Sequence, residues 1–201
     1  FDKVARILNL GYPGGPAVAA EAAKFSIFNF QPARNEFHSG GFSKKSKFQN
    51  LNFKLPRPMI NSSNLNFSFS GLKTAVLYTV KNNPKILKNK NLTSALCAEF
   101  QQAVIDVLVA KTLKAAKKYN PKTILLGGGV SANKELRIQL GKTIKKNLND
   151  TNYSLPATRY SLDNATMIAV AGYFQHKLAK DKKKFLNNWK NLEADAGLKL
   201  K

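Results

Sequence analysis

Acidic residues are scarce in this chain. Eleven Asp and Glu stand against 33 Lys and Arg, which leaves a net charge of +22 over 201 residues. A field of that sign attracts polyanions, with nucleic acid first among them. Part of the excess is compositional, because a chain rich in Lys, Asn, Ile and Phe is also what an A·T-rich genome encodes. Cysteine is nearly absent: the single Cys97 excludes an internal disulfide and suits a reducing cytoplasm, where it reads as a small buried apolar residue. The two histidines, His38 and His176, are too far apart to form a metal-binding histidine pair on one helix. No uninterrupted apolar run approaches the roughly 18 residues of a membrane span, and the start carries no signal-peptide pattern. The chain opens on Phe1, inside the amphipathic pattern FDKVARIL, and reads as a piece of a longer protein.

What is present is most distinctive at 122–137, KTILLGGGVSANKELR. A short apolar run meets Gly127, Gly128 and Gly129, then Val130-Ser131-Ala132-Asn133, then a polar stretch with helical spacing. A strand that turns into a helix through glycines brings backbone N–H groups close to a phosphate, where the helix dipole adds positive charge. The loop lacks the lysine of a P-loop and the spacing of a dinucleotide fingerprint. Glycines that merely permit a tight turn are the plainer alternative.

The remaining pattern predicts an α/β chain. Helices are expected at 1–10, with Val4, Ile7 and Leu8 on one face, and at 17–25. Residues 26–62 read as irregular, with short strands in FNFQ and NFKLP. A half-buried strand is expected at 64–70 and a helix at 72–81. The longest helix is expected at 92–119, capped by Thr93 or Ser94, with Leu92, Leu96, Phe100, Val104, Val107, Leu108 and Ala115 in its buried stripe. A buried strand at 122–126, a surface helix at 133–147 and an edge strand at 153–157 follow. The helix at 163–179 is expected to turn Met167, Ile168, Ala171, Phe174 and Leu178 inward. The domain reading is a helical and irregular insertion at 1–62, an α/β lobe at 63–180 and a basic tail at 181–201.

Four segments carry candidate chemistry. Asp2 in FDKVAR either accepts from ribose hydroxyls or caps its helix. Gly14 and Gly15 in YPGGP either admit a ligand against the backbone or make a turn. Asn133 either presents its amide to a purine or faces water on a first helical turn. Asp163 in SLDNATMIA is either a metal ligand or an N-cap. No residue is singled out as catalytic.

Taken in order, FDKVAR, LGYPGGP, FSFSGLKTAV, FQ.AVIDVLV.K, LLGGGVSANKELR and DNATMIAVAGY closely resemble the TsaD family over about residues 1–175. The 26–62 region looks like the family's bacterial branch. The resemblance implies the C-terminal lobe of an actin-like, sugar-kinase-like fold with a helical insertion, the N-terminal lobe being missing. It implies transfer of a threonylcarbamoyl group from threonylcarbamoyl-AMP to the exocyclic amine of the adenosine beside the anticodon of tRNA, in the cytoplasm. Asp2, Gly15 and Asn133 match family positions that hold the adenylate, with Gly127, Gly128 and Gly129 at its phosphate. Asp163 matches a ligand of the metal, iron or zinc. The two histidine ligands of the family's HxxxH motif are absent here and are expected from the missing lobe, so the fragment alone is expected to be inactive. Implied partners are tRNA, a scaffold paralogue and an ATPase subunit, with no membrane. Lys44, Lys45, Lys47, Lys54 and Arg57 are candidate contacts to the tRNA backbone. Two rival readings are a non-catalytic scaffold paralogue of the same fold, against which Asp163 and Asn133 argue, and the metalloprotease of an older family name, for which no HExxH is present.

Overall fold

The computed structural model describes residues 1–29 and 53–187, with residues 191 and 193 singly. They fall into two compact units, Phe1–Leu155 and Pro156–Lys201. The first holds α1 (Asp2–Ile7), α2 (Gly14–Asn29), α3 (Ser70–Asn82), α4 (Lys85–Lys88), α5 (Lys90–Tyr119), β1 (Thr123–Leu125), a 3-10 turn at Gly129–Ala132, α6 (Lys134–Asn147) and β2 (Asn152–Ser154). The second holds a 3-10 turn at Thr158–Tyr160, α7 (Ala165–Leu178) and α8 (Lys182–Asn187). This is a helix-rich α/β arrangement.

Helix α5 organises the first unit. One side buries Leu96, Cys97, Phe100, Ala103 and Val104 against Val4, Leu8, Val18, Ala22, Leu72, Val76 and Ile86 of the helices before it. The opposite side buries Ile105 against Leu136, Leu140 and Ile144 of α6. The expected stripe is present, with Leu96, Phe100, Val104 and Val107 buried, but burial extends well around the helix. The helix is long and apolar enough to cross a bilayer; here its apolar surface is covered from two sides by its own protein.

The cap of α5 is Asn89, not Thr93 or Ser94. Its Oδ1 accepts from the N–H groups of Asn91 and Leu92 at 3.0 and 3.3 Å. Thr93 and Ser94 lie a turn further in, where they are buried and act as tertiary ties. Thr93 Oγ1 donates to the Ile86 carbonyl at 2.7 Å, and Ser94 Oγ donates to Glu21 Oε1 at 2.5 Å. Burial pushes the Glu21 carboxyl up, but the bonds from Lys24 and Ser94 outweigh it and leave the pKa lowered.

Both strands expected between 53 and 70 are absent. Leu55 N–H donates to Glu99 Oε1 at 2.8 Å rather than to a ladder. Asn64 Oδ1 accepts from Asn66 N–H at 3.1 Å, a local bond that competes with strand pairing. Lys111, 1% exposed, donates to Ser62 Oγ and the Asn64 carbonyl at 2.5 and 2.7 Å, and fixes this segment on α5. The FNFQ segment is also not a strand where it is described, because α2 runs on to Asn29.

Strands β1 and β2 pair in parallel, Ile124 opposite Tyr153. Parallel neighbours need a crossover, which α6 supplies. The expectation of a buried β1 is only half met. Ile124 and Leu126 pack on the α5–α6 core, while alternation sends Leu125 to the other face, 76% exposed.

In the second unit, α7 has no buried residue among those described. Met167, Ile168, Phe174 and Leu178 are exposed, against the expectation that they point inward. Within this unit α8 is the helix that packs on α7, with His176 and Phe185 rings 5.8 Å apart. A six-residue helix is too short to cover an apolar stripe fourteen residues long.

Cys97 lies fully buried, and burial pushes its thiol up to about 12. A thiol so placed stays protonated and shielded. An aromatic disulfide reagent at pH 8 is expected to leave Cys97 unmodified in the folded protein and to titrate one thiol in denaturant.

Candidate adenylate site

The site residues of the first unit sit at helix starts. Asp2 occupies the first turn of α1, where Phe1 is the cap residue. Its carboxylate serves a different helix: Oδ1 accepts from Gly14 N–H, the first residue of α2, at 2.7 Å. The second carboxylate oxygen makes no bond among the described residues. Gly14 and Gly15 are therefore not a free turn but the opening of a helix.

The two glycines differ in what they require. A Cβ at Gly14 would lie 2.5 Å from Asp2 Cα and 2.8 Å from Asp2 Oδ1, so the close approach of α1 to α2 demands glycine there. A Cβ at Gly15 would meet nothing within 4 Å. The first turn of a helix leaves its N–H groups without intrahelical partners. Asp2 takes that of Gly14, Pro16 has none, and Ala17 donates to the Pro13 carbonyl at 3.3 Å. The Gly15 N–H is left over, beside an open space and next to a carboxylate.

The glycine loop leads to a second such start. Gly128 has φ +81° and ψ 171°, a conformation that side chains other than hydrogen rarely accept. Gly127, Gly128 and Gly129 are all exposed. The loop does not run directly into a helix. A 3-10 turn intervenes, and α6 begins only after Asn133, whose Oδ1 accepts from Leu136 N–H at 3.0 Å. Asn133 is thus the N-cap rather than a first-turn residue in water. Its Nδ2 donates to Gln101 Oε1 of α5 at 2.7 Å.

Asp2 and Asn133 are joined by one path of contacts. The Phe1 ring meets Phe100 edge-on, with centroids 5.2 Å apart. Gln101 follows Phe100 in the chain and holds Asn133.

Asp163 belongs to the second unit and is described there alone. It is exposed and makes no bond among the described residues. The capping of α7 falls to Asn164, whose Oδ1 accepts from Met167 N–H at 3.1 Å. Among the described residues no three His, Cys, Asp or Glu side chains cluster as metal ligands. One carboxylate cannot hold iron or zinc by itself, so these residues do not make up a metal centre.

Of the candidate tRNA contacts, Lys44, Lys45 and Lys47 lie outside the described residues, and Lys54 is exposed. Arg57 is committed internally. Its guanidinium pairs with Glu99, donates from Nε to Asp106 Oδ2 at 2.9 Å and reaches the Leu55 carbonyl at 2.8 Å. The bond to Glu99 raises its pKa further, against the opposing effect of burial. A guanidinium saturated by two carboxylates has little left for a phosphate.

Sequence reasoning missed Gln101, the close approach of Asp2 that requires glycine at 14, and the Arg57 pairs. Gln101 has apolar residues three and four positions away on both sides, Cys97, Ala98, Val104 and Ile105, so it interrupts an apolar helix face, and that interruption is the signal that marks it.

The family model described as TsaD: tRNA N6-adenosine threonylcarbamoyltransferase matches residues 1–170. The chain belongs to this family. A protein of that name from Thermosipho africanus is 42% identical over 200 residues, all of this chain and 50% of the relative. Another from Desulfotalea psychrophila is 42% identical over 180 residues, covering 88% of this chain and 44% of the relative. A third, from Buchnera aphidicola, is 39% identical over 182 residues, 90% of this chain and 46% of the relative. The chain spans about half the length of the curated relatives it matches.

The two glycines give opposite expectations. Gly14→Ala should cost about 1–3 kcal/mol of stability through the clash with Asp2. Gly15→Ala should be neutral or stabilising by up to about 1 kcal/mol, as Ala replaces Gly in a helix. Urea unfolding midpoints of the two variants test this; equal losses would overturn it.

Proposed function

We propose that the chain supplies half of an adenylate site that transfers a threonylcarbamoyl group to tRNA. The donor is threonylcarbamoyl-AMP and the acceptor is the exocyclic amine of the adenosine 3′ to the anticodon. The observation that carries the reading is the pair of unused groups at the α2 start, the second Asp2 oxygen and the Gly15 N–H, in a member of the TsaD family. A carboxylate oxygen suits ribose hydroxyl donors, and a backbone N–H at a helix start suits an anionic or carbonyl oxygen. Asn133 keeps one Nδ2 hydrogen and one Oδ1 lone pair after its two internal bonds, enough for one edge of an adenine. The Gly127–Gly129 backbone would line the phosphate, a role that its exposure permits.

In the transfer, the adenine amine forms a bond to the carbamoyl carbon, the bond from that carbon to the phosphate oxygen breaks, and AMP departs as the amine loses a proton. An exocyclic amine is a weak nucleophile, so holding the donor rigidly is what these residues contribute. The acceptor base comes from an unpaired loop, where extrusion costs little.

The fold reading that goes with this function is the C-terminal lobe of an actin-like, sugar-kinase-like fold with a helical insertion. The missing lobe would supply the remaining metal ligands, two histidines, to join Asp163 on iron or zinc. tRNA, a scaffold paralogue and an ATPase subunit are the proposed partners. Asp163 weighs against a purely structural paralogue, because capping is done by Asn164 and no contact among the described residues requires an acid at 163.

The test is tRNA modification by the intact natural protein with its partners. Asp163→Ala and Asn133→Ala should each lower the modification rate by at least about tenfold. Asp163→Ala, an exposed change, should leave the melting temperature within about 0.5 kcal/mol equivalent of the parent. Undiminished modification by both variants would overturn the reading.

A further inference from the structure

We infer that Gln101 is a positioning residue that fixes the amide of Asn133 for the adenine. The inference rests on the proposed function for its ligand and on geometry for the rest. Gln101 is 7% exposed, and the positions one helical turn to either side, Cys97, Ala98, Val104 and Ile105, are apolar. A buried amide in that setting is costly unless it is bonded. Its Oε1 accepts from Asn133 Nδ2 at 2.7 Å.

The two bonds on Asn133 are mutually dependent. As N-cap, Asn133 must turn Oδ1 toward Leu136 N–H, because a flipped amide would set donor against donor. That leaves Nδ2 toward α5, where only an acceptor satisfies it. Gln101 presents the acceptor, and one Nδ2 hydrogen and one Oδ1 lone pair remain, a donor and an acceptor in a fixed amide plane. An adenine edge presents the complementary acceptor and donor, in the same way that an asparagine amide reads adenine elsewhere. The cap alone holds one atom of the amide; the cap with Gln101 holds its plane.

The route from α5 also explains how the two halves of the site keep register. Phe100 packs on Phe1 beside Asp2, and Gln101, the next residue, bonds Asn133. A shift of α5 along its axis would move both groups together.

The experiment uses the intact natural protein with AMP as the probe. Asn133→Ala, Gln101→Leu and Gln101→Glu are compared by calorimetric affinity for AMP and by hydrogen-exchange protection of the Asn133 side-chain NH2 in NMR spectra. Gln101→Leu is expected to weaken AMP binding about three- to tenfold, the effect of one buried hydrogen bond, and to abolish the protection. Gln101→Glu keeps an acceptor at the position and should retain the protection, so the proposal stays testable even where the leucine variant does not fold. If Asn133→Ala lowers AMP affinity while Gln101→Leu leaves both affinity and protection unchanged, Gln101 positions nothing. Loss of protection in the glutamate variant would overturn the proposal equally. If Asn133→Ala itself leaves AMP affinity unchanged, the proposed adenylate site fails, and the positioning role toward adenine fails with it.

Discussion

The first unit depends on a helix that is buried from two sides and still carries polar groups. Along α5, Ser94, Glu99, Gln101, Gln102, Asp106 and Lys111 interrupt the apolar surface. A polar group removed from water must find a partner in the protein. Each of these finds one on a different segment. Ser94 meets Glu21 of α2, Glu99 and Asp106 meet Arg57, Gln101 meets Asn133, Gln102 meets Gln139 of α6 at 2.9 Å, and Lys111 meets Ser62 and Asn64. Apolar packing selects which segments lie against α5 but tolerates sliding. These bonds do not tolerate it, and they set where α2, the 53–64 segment and α6 stop along the helix.

How much of this could be read in advance follows from the same division. The long helix, the glycine loop and the crossover helix α6 were legible, because periodicity and glycine punctuation are local signals. So was the family, since ordered motifs survive when single residues are ambiguous. The caps were less legible. Asn89 loses to Thr93 and Ser94 in a reading that starts the helix at the first apolar residue, and only the tertiary ties of those two reveal that the helix has already begun. The alternation of Leu65, Phe67 and Phe69 is a strand pattern without a partner strand among the described residues, and Lys111 and Lys114 of α5 instead hold Ser62 and Asn64 just before it. The apolar residues of α7 read as inward-facing because periodicity reports amphipathicity and not what is there to cover it; among the described residues of its own unit, only the short α8 packs on it.

The candidate site residues stand out in the sequence by type, but their internal work does not. Of the two readings for each, the plainer one misplaces all three: Asp2 serves α2 rather than capping its own helix, Asn133 is an N-cap tied to α5 rather than facing water, and Asp163 leaves the capping of α7 to Asn164. A sequence shows which residue types stand at helix starts. It does not show which of two adjacent acids or amides the backbone will use, since that depends on a difference of one residue in where a helix begins.

That accounting separates residues that build the protein from residues it leaves over. Gly14 is explained by Asp2, and one oxygen of Asp2 is explained by Gly14. The other oxygen, the Gly15 N–H, the exposed glycines 127–129 and the Asp163 carboxylate have no such internal explanation. Two buried groups also lack partners, Ser131 Oγ and Tyr153 Oη, but these are closed off from solvent and are a cost of packing rather than an offer to a ligand. Among the candidate site residues, the accessible remainder is the Gly15 N–H, one Asp2 oxygen, one donor and one acceptor on Asn133, the Asp163 carboxylate and an open backbone loop. Folding alone gives no reason to keep glycine at 15 when alanine fits and is the better helix former, nor to keep an acid at 163 when its neighbour does the capping. A ligand that approaches the backbone at Gly15 would supply the first reason, and a cation shared with ligands from elsewhere would supply the second. Both reasons belong to the proposed function, and no feature of the core among the described residues replaces them.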